Sequence, residues 1–235
     1  VHHSIGIAER WTFDGAYAYR IRTPQGATFS LGLQASIRYI GMDFQDERLR
    51  ATQGLTVDES IPTESENLYL PNFGFGLYFE NEHFFAGLAL PRLINSRLDF
   101  GDQISEQGEA EEVRHAFLMA GGVLSLSESL DLQPQVLFKY AEEAPLDADC
   151  NLSLVYQKKH AFGLSYRLGG STRRGFGESI GLILSVQAGD RWTLGAAHDL
   201  PMSELRDQTS GSFEGFLRFA INPPEGEKVL SPRYF

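Results

Sequence analysis

The sequence has a single cysteine, fewer basic than acidic residues and no long apolar run. Each of these shortages excludes a class of protein. Cys150 stands alone, so neither a disulfide framework nor a cysteine metal cluster is available. No stretch approaches the ~20 apolar residues that a membrane-spanning helix needs. The formal net charge of −11 argues against nucleic acid as a partner, because nucleic-acid binding requires basic patches.

The chain does have apolar and polar residues that alternate over long stretches. Between Phe29 and Tyr39 every second residue is apolar or aromatic, and the residues between them are polar or glycine. This pattern recurs to give about eleven strands. Strands of soluble proteins have ~5–6 residues, whereas strands that cross a bilayer need about 9–11. The length of the alternating stretches therefore predicts transmembrane strands.

The connections between these stretches alternate between short and long. The short ones are 23–27, 81–82, 128–129, 157–160 and 189–191, and the long ones are 42–71, 91–114, 141–149, 169–178 and 201–211. Short periplasmic turns and long extracellular loops are typical of outer-membrane barrels, whereas a Greek-key sandwich gives no reason for the alternation. The predicted fold is all-β, a transmembrane antiparallel β-barrel of the bacterial outer membrane.

The parity of the strands leads to a further expectation. The last strand descends to the periplasm, so counting back through eleven places the start of the first strand at the outer surface. A single-chain barrel has an even strand number and periplasmic termini, so at least one more strand is expected before Glu9, for a total of about 12 or 14. The chain begins at Val1 and shows no signal peptide, so we expect N-terminal strands to be missing. Residues 1–222 are assigned to the barrel and residues 223–235 to a periplasmic tail.

Charged residues on the polar side of the alternation are expected to face the barrel lumen. They are Arg10, Asp14, Arg20, Arg38, Glu80, Lys139, Arg167, Glu214 and Arg218. Two interpretations stay open. The charges form a paired network that fills a narrow barrel, because unpaired charges away from water are costly, or they form the selectivity surface of a water-filled pore.

The two longest loops, 42–71 and 91–114, are rich in aspartate and glutamate. They are interpreted as a solvated surface, or as a site for divalent cations beside lipopolysaccharide, or as a landing surface for a secreted partner. The sequence contains no calcium-loop motif, no Gly-x-Ser-x-Gly and no metal-ligand spacing among its histidines. No catalytic, cofactor-binding or metal site is therefore predicted.

The tail contains three prolines and ends in Arg233, Tyr234 and Phe235. Proline lowers the entropy cost of holding one extended conformation, and an aromatic pair beside a cation and a free carboxylate suits a binding pocket. We interpret the tail as a periplasmic docking element. The alternative is that the aromatic residues tuck under the barrel rim or help the assembly machinery to recognise the chain.

Five strings, taken in their order and spacing, resemble the PorP/SprF-like outer-membrane proteins of type IX secretion and gliding motility in Bacteroidetes. They are AYAYRI followed by SLGLQA, FGFGLYFENEHFFAGLALPRLI, LQPQVLFKYAEEAPLDAD, HAFGLSYR, and GSFEGFLRF with the terminal SPRYF. The resemblance implies no enzymatic activity and no cofactor. It implies partners among the secretion or gliding proteins, either a periplasmic ring lipoprotein or an adhesin with a type B C-terminal signal, in a membrane of outer-membrane lipid and lipopolysaccharide.

Three classes of function follow for the chain. The first is a non-enzymatic barrel that docks or anchors secreted proteins. The second is a transport channel for small or hydrophobic solutes, and the third is a barrel enzyme, for which no set of residues is nominated. A docking barrel should have a filled lumen and bind other proteins, whereas a channel should leave a continuous water path.

Overall fold

Thirteen strands in one antiparallel sheet make up most of the described part of the chain. The computed structural model describes residues 1–46, 65–96, 111–142, 144–169, 177–202 and 210–221. The strands are β1 (His2–Ile5), β2 (Ala8–Arg22), β3 (Thr28–Met42), β4 (Glu66–Glu80), β5 (Phe84–Leu90), β6 (His115–Gly122), β7 (Leu124–Ser127), β8 (Leu130–Ala141), β9 (Asp147–Tyr156), β10 (His160–Leu168), β11 (Ser179–Ala188), β12 (Trp192–Pro201) and β13 (Ser212–Phe219).

The strands follow one another in chain order across the sheet, except that β7 pairs only with β8. Neighbour-to-neighbour order is that of an up-and-down barrel, and the predicted all-β antiparallel fold class is confirmed. Within the described ranges, β1 and β13 each pair on one side only, so the sheet is not closed there. None of the described residues belongs to a helix with the length and apolarity to span a membrane.

Three strand predictions were wrong in detail. The structure has thirteen strands where about eleven were expected. One addition is β1, in a segment that carries no clear alternation. The other arises because the single strand expected over 115–127 divides at Val123, whose backbone N–H donates to the carbonyl of His83 at 2.8 Å. In addition, β4 begins at Glu66, so the end of the loop assigned to 42–71 is strand.

The strands have the lengths that a bilayer requires. The strands β2, β3 and β4 each contain 15 residues, and β8 contains 12. The strands β9, β11 and β12 contain 10 residues each. Strands that cross a membrane at a tilt need about 9–11 residues. The length criterion used on the sequence is therefore met by most of the sheet.

The described residues group into two units. The first consists of Val1–Tyr19, Leu31–Gly76 and Ala89–His115. Along the strands of this unit, polar side chains are more buried than their apolar neighbours, which is the reverse of the pattern in a soluble protein. Along β3, Leu33 is 65% exposed, whereas the adjacent Gln34 is partly buried. Along β4, Asn72 is only 3% exposed, whereas the adjacent Phe73 is 55% exposed.

The second unit consists of Arg20–Ser30, Leu77–Leu88 and Ala116–Phe235. The same inversion holds there: Asp131, Gln133 and Gln135 are buried on β8, and the intervening Leu132 and Pro134 are less so. Antiparallel register aligns Gln135 with Asn151 on β9, and Asn151 with Ser165 on β10. Like residues therefore share a face from strand to strand.

Each unit has a face that carries polar side chains, and we call it the polar face of that unit: it carries Gln34, Arg38 and Asn72 in the first unit and Gln133 and Asp149 in the second. The opposite, apolar face carries the large exposed side chains, among them Phe29, Leu31, Leu33, Leu164, Leu182 and Leu184. An exposed apolar surface of this extent is unstable in water and needs a nonaqueous cover. This exposure fits the lipid-facing positions expected from the alternation.

Candidate functional site

A line of alternating charges crosses the polar face of the second unit. Asp149 on β9 accepts from Lys139 Nζ on β8 at 2.6 Å and from Arg167 Nε on β10 at 3.2 Å. Arg167 Nη1 also lies 3.9 Å from Asp199 Oδ2 on β12. Antiparallel register produces this arrangement, because Asp149 is the direct partner of Arg167 and sits two residues from the partner of Lys139. Each charge in this line lies beside a charge of the opposite sign, so the four side chains form a network that links the strands of the sheet.

The polar face of the same unit is also packed by a large ring. Phe216 on β13 is the direct partner of Gly195 on β12, and its ring occupies the space where a side chain at Gly195 would lie. An aromatic ring over a cross-strand glycine protects the backbone and fixes the register. This ring lies on the face of Glu214 and Arg218, opposite to Leu217.

A second cluster of charges lies on the polar face of the first unit. Glu112 is buried, with 7% of its surface exposed, and its carboxylate pairs with the guanidinium of Arg38 on β3. Arg92 Nη1 lies 3.6 Å from the same carboxylate. A single buried carboxylate thus serves two arginines, one on the sheet and one in the chain that follows β5.

The chain that follows β5 covers part of this polar face, and we call residues 91–96 the covering segment. The side chain of Asn72 on β4 holds it. Its Nδ2 donates to the carbonyl of Ile94 at 2.7 Å, and its Oδ1 accepts from the backbone N–H of Leu93 at 3.0 Å and of Ile94 at 3.1 Å. The carbonyl of Ser96 in turn accepts from the N–H of Glu112 at 2.9 Å.

The covering segment approaches β4 closely at Gly74. A Cβ at this position would lie 2.8 Å from the carbonyl oxygen of Pro91, closer than real contacts allow. Glycine is therefore required here by the approach of another backbone. A cavity of about 720 Å³ opens beside this contact and is lined by Ala16, Gln34 and Leu93 among other residues. Its lining is largely apolar and includes aromatic residues.

The residues predicted to face the lumen have different surroundings in the structure. Arg38, Lys139 and Arg167 are in the ion pairs described above. Asp14 accepts from Gln34 Nε2 at 3.3 Å. Glu80 is partly buried, and Arg10, Arg20, Glu214 and Arg218 are exposed. That all of them face a lumen stays a prediction.

Sequence reasoning missed several residues of these clusters. Asp149 was placed at the end of a loop, but β9 begins at Asp147 and makes Asp149 a strand residue. Glu112 was counted with a solvated acidic loop, but it is buried against Arg38. Asn72, the first residue after the loop assigned to 42–71, was given no role. The one sequence signal for Asn72 is its position directly before a glycine-rich alternating stretch.

The remaining predicted sites fall largely outside the described residues. These include most of the acidic loops, at 47–64 and 97–110, and the tail with Arg233, Tyr234 and Phe235. Within the described ranges, no group of three or more His, Cys, Asp or Glu side chains is placed to hold a metal ion.

Comparison with known proteins identifies the family. Residues 1–219 match the family described as "Type IX secretion system membrane protein PorP/SprF". No curated protein matches the chain. The match covers nearly all of the 235 residues and includes both charge clusters and the covering segment. The chain belongs to the PorP/SprF family of type IX secretion system membrane proteins.

Proposed function

We propose that this chain is a non-enzymatic outer-membrane barrel of the type IX secretion and gliding apparatus. In this role it docks or anchors secreted surface proteins, or links the translocon to periplasmic ring components. The observation that carries the proposal is the family match over residues 1–219. Membership implies a membrane component that acts with other type IX secretion proteins.

The charge pairing on the polar face supports a docking role over conduction. Asp149 neutralises Lys139 and Arg167, and Glu112 neutralises Arg38 in the first unit. Ion-selective pores are lined by rings of one sign of charge that an ion passes. Paired charges of both signs stiffen the sheet instead, which suits a protein that holds another protein.

The partners follow from the proposed topology. With the loops that follow β3 and β5 outside the cell, their acidic residues would meet secreted cargo such as an adhesin with a type B C-terminal signal. With residues 223–235 in the periplasm, the terminal Arg233, Tyr234 and Phe235 would meet a ring lipoprotein. A terminal carboxylate with two aromatic side chains has the chemistry of a pocket anchor.

Affinity purification from native outer membranes tests the proposal. The chain, tagged in an extracellular loop and extracted in mild detergent, should enrich secretion or gliding components identified by mass spectrometry. A matched control is an unrelated outer-membrane barrel carrying the same tag and expressed at the same level. If the folded chain enriches no more of these components than the control does, the docking role is wrong.

A transport channel for small or hydrophobic solutes is the second candidate. The cavity of about 720 Å³ in the first unit favours it, because its lining is largely apolar. A channel should release a solute trapped in vesicles at a rate that depends on solute size. Vesicles that hold the folded protein and retain the solute would exclude this candidate.

A further inference from the structure

The turn between β9 and β10, in the second unit, has an unusual backbone. The N–H of Lys159 donates to the carbonyl of Tyr156 at 3.0 Å, which closes a two-residue turn around Gln157 and Lys158. Both central residues have positive φ angles, 51° and 53°, as in the type I′ turn that favours asparagine and glycine. They are the two non-glycine residues with positive φ in the described part of the chain. A backbone outlier costs free energy, so it directs attention to the side chains that it carries.

Two other short turns of the second unit place glycine where φ is positive. Gly26, between β2 and β3, has a φ of 85°, and Gly189, between β11 and β12, has a φ of 69°. Glycine adopts this conformation without a steric penalty, whereas a residue with a Cβ does not. A glycine at position 158 would therefore make a less strained turn. The strain at Lys158 keeps a cationic side chain at the tip of this hairpin.

This end of the second unit carries an excess of cations. Lys158 and Lys159 lie in the β9–β10 turn, and Arg191 lies in the β11–β12 turn. The backbone N–H of Gln187, near the end of β11, donates to the carbonyl of Lys159 at 2.7 Å, so the β9–β10 turn lies beside the end of β11. All three cations are exposed, and none of them is in an ion pair within the described ranges. Asp190 is the one carboxylate in the two turns, although the whole chain has a net charge of −11.

Aromatic side chains lie beside these cations on the apolar face. Tyr156 and His160 are cross-strand partners with ring centroids 6.4 Å apart, and Trp192 and Phe219 are partners at 4.6 Å. They end the rows of exposed apolar side chains on β9, β10, β12 and β13. Aromatic girdles of this kind mark the boundary between the hydrocarbon and the lipid headgroups. Lys158 is two residues from Tyr156, about 8 Å at most, so its ammonium group lies at headgroup depth.

We propose that the β9–β10 and β11–β12 turns form a binding site for the headgroup of an anionic phospholipid. Lys158, Lys159 and Arg191 attract the phosphate, and Tyr156 and Trp192 border the acyl chains. A lipid is favoured over an acidic protein, because the cations adjoin the face that lipid covers. With the short turns on the periplasmic side, as in the proposed topology, this lipid belongs to the inner leaflet. The inference rests on the membrane location of the family and not on which protein the chain docks.

Quenching of Trp192 by brominated lipids tests the site. Trp11→Phe leaves Trp192 as the sole tryptophan of the full chain, and bromine on an acyl chain quenches a tryptophan that it contacts. In mixed vesicles, brominated phosphatidylglycerol should quench Trp192 more strongly than brominated phosphatidylcholine does at the same mole fraction. The relative binding constant should fall about fivefold for each lysine removed by Lys158→Gln and Lys159→Gln, the factor that about 1 kcal/mol per cation gives.

The matched control removes two cations elsewhere. Lys228→Gln with Arg233→Gln takes the same charge from residues 223–235 and should keep the preference for phosphatidylglycerol. Folding of each variant is checked by its heat-dependent mobility on a gel. The site is overturned if wild-type Trp192 shows no preference, if the folded double lysine variant keeps it, or if the control loses it to the same extent.

Lys158→Gly separates a lipid-binding role from a structural one. It should raise the urea midpoint of unfolding in phosphatidylcholine vesicles, because it relieves the backbone strain, and it should lower the preference for phosphatidylglycerol. A lower midpoint would show that the lysine serves the fold and would overturn the site.

Partner enrichment from native membranes distinguishes this inference from the proposed function. If the double lysine variant loses the enriched secretion components but keeps its lipid preference, the lysines bind a protein and the lipid site is wrong. Loss of enrichment in wild type would count against the docking role, and a lipid preference measured on the same chain would still support the site.

Discussion

Replacement of Asp149 by asparagine should destabilise the sheet, because Asp149 lies between two cations. Its side chain is 14% exposed and accepts from Lys139 at 2.6 Å and from Arg167 at 3.2 Å. A hydrogen bond to a charged group contributes about 1.5–3 kcal/mol when shielded. The side chains of Lys139 and Arg167 are 31% and 44% exposed, so solvent screens both interactions. We expect a loss of about 2 kcal/mol in the free energy of unfolding.

Urea unfolding of the chain in lipid vesicles, followed by tryptophan fluorescence, measures this loss. Glu128→Gln is the control, because it removes a carboxylate at an exposed turn and should change stability by less than about 0.5 kcal/mol. A double-mutant cycle with Lys139→Gln should show coupling, since Lys139 has less to lose once Asp149 is neutral. The reasoning is refuted if Asp149→Asn behaves like Glu128→Gln, or if the two substitutions are additive.

Three further predictions concern facing and topology. Leu182→Arg should cost about 2–4 kcal/mol of stability in vesicles, whereas Gln187→Arg on the polar face should be well tolerated; equal tolerance would contradict the facing assignment. In a cysteine-free background, Gln45→Cys should react with an impermeant maleimide on intact cells and Lys158→Cys only after the outer membrane is opened; the reverse pattern would invert the topology. Deletion of residues 231–235 should leave insertion intact but lose a co-purifying periplasmic partner; failure of insertion would show that the tail serves assembly instead.

The fold could be predicted from the sequence wherever one face of a strand is apolar throughout. The alternation in β3 and β11 has a period of two, and this period alone fixes both the strand and its facing. The segment 115–127 is apolar on both faces, so its pattern does not reveal a break. The break at Val123 depends on a hydrogen bond to His83, a residue far away in the sequence. Contacts of this kind leave no local signal.

The clusters on the polar face were harder to predict than the strands. The alternation shows that Arg38 and Lys139 both lie on the polar side of their strands. It does not show which acidic residue each one pairs with. The partner of Lys139 is set by register, which a turn between β8 and β9 decides. The partner of Arg38 comes from a connection rather than a strand. The sequence does not show the path of a loop, so an acidic loop is predicted to be solvated. For this reason the burial of Glu112 was not predicted.

The arrangement of charges also bears on how a membrane sheet of this kind gains its stability. Its large apolar side chains stay exposed and add little packing inside the sheet; Leu184, for example, is 55% exposed. Its buried groups include Asn72, Glu112 and Gln135, which need hydrogen bonds or ion pairs to be tolerated. A buried ion pair contributes little net stability, but breaking it is costly, so it specifies one arrangement rather than strengthening it. The polar clusters of this chain therefore fix its register and the position of the covering segment, while lipid provides the apolar cover.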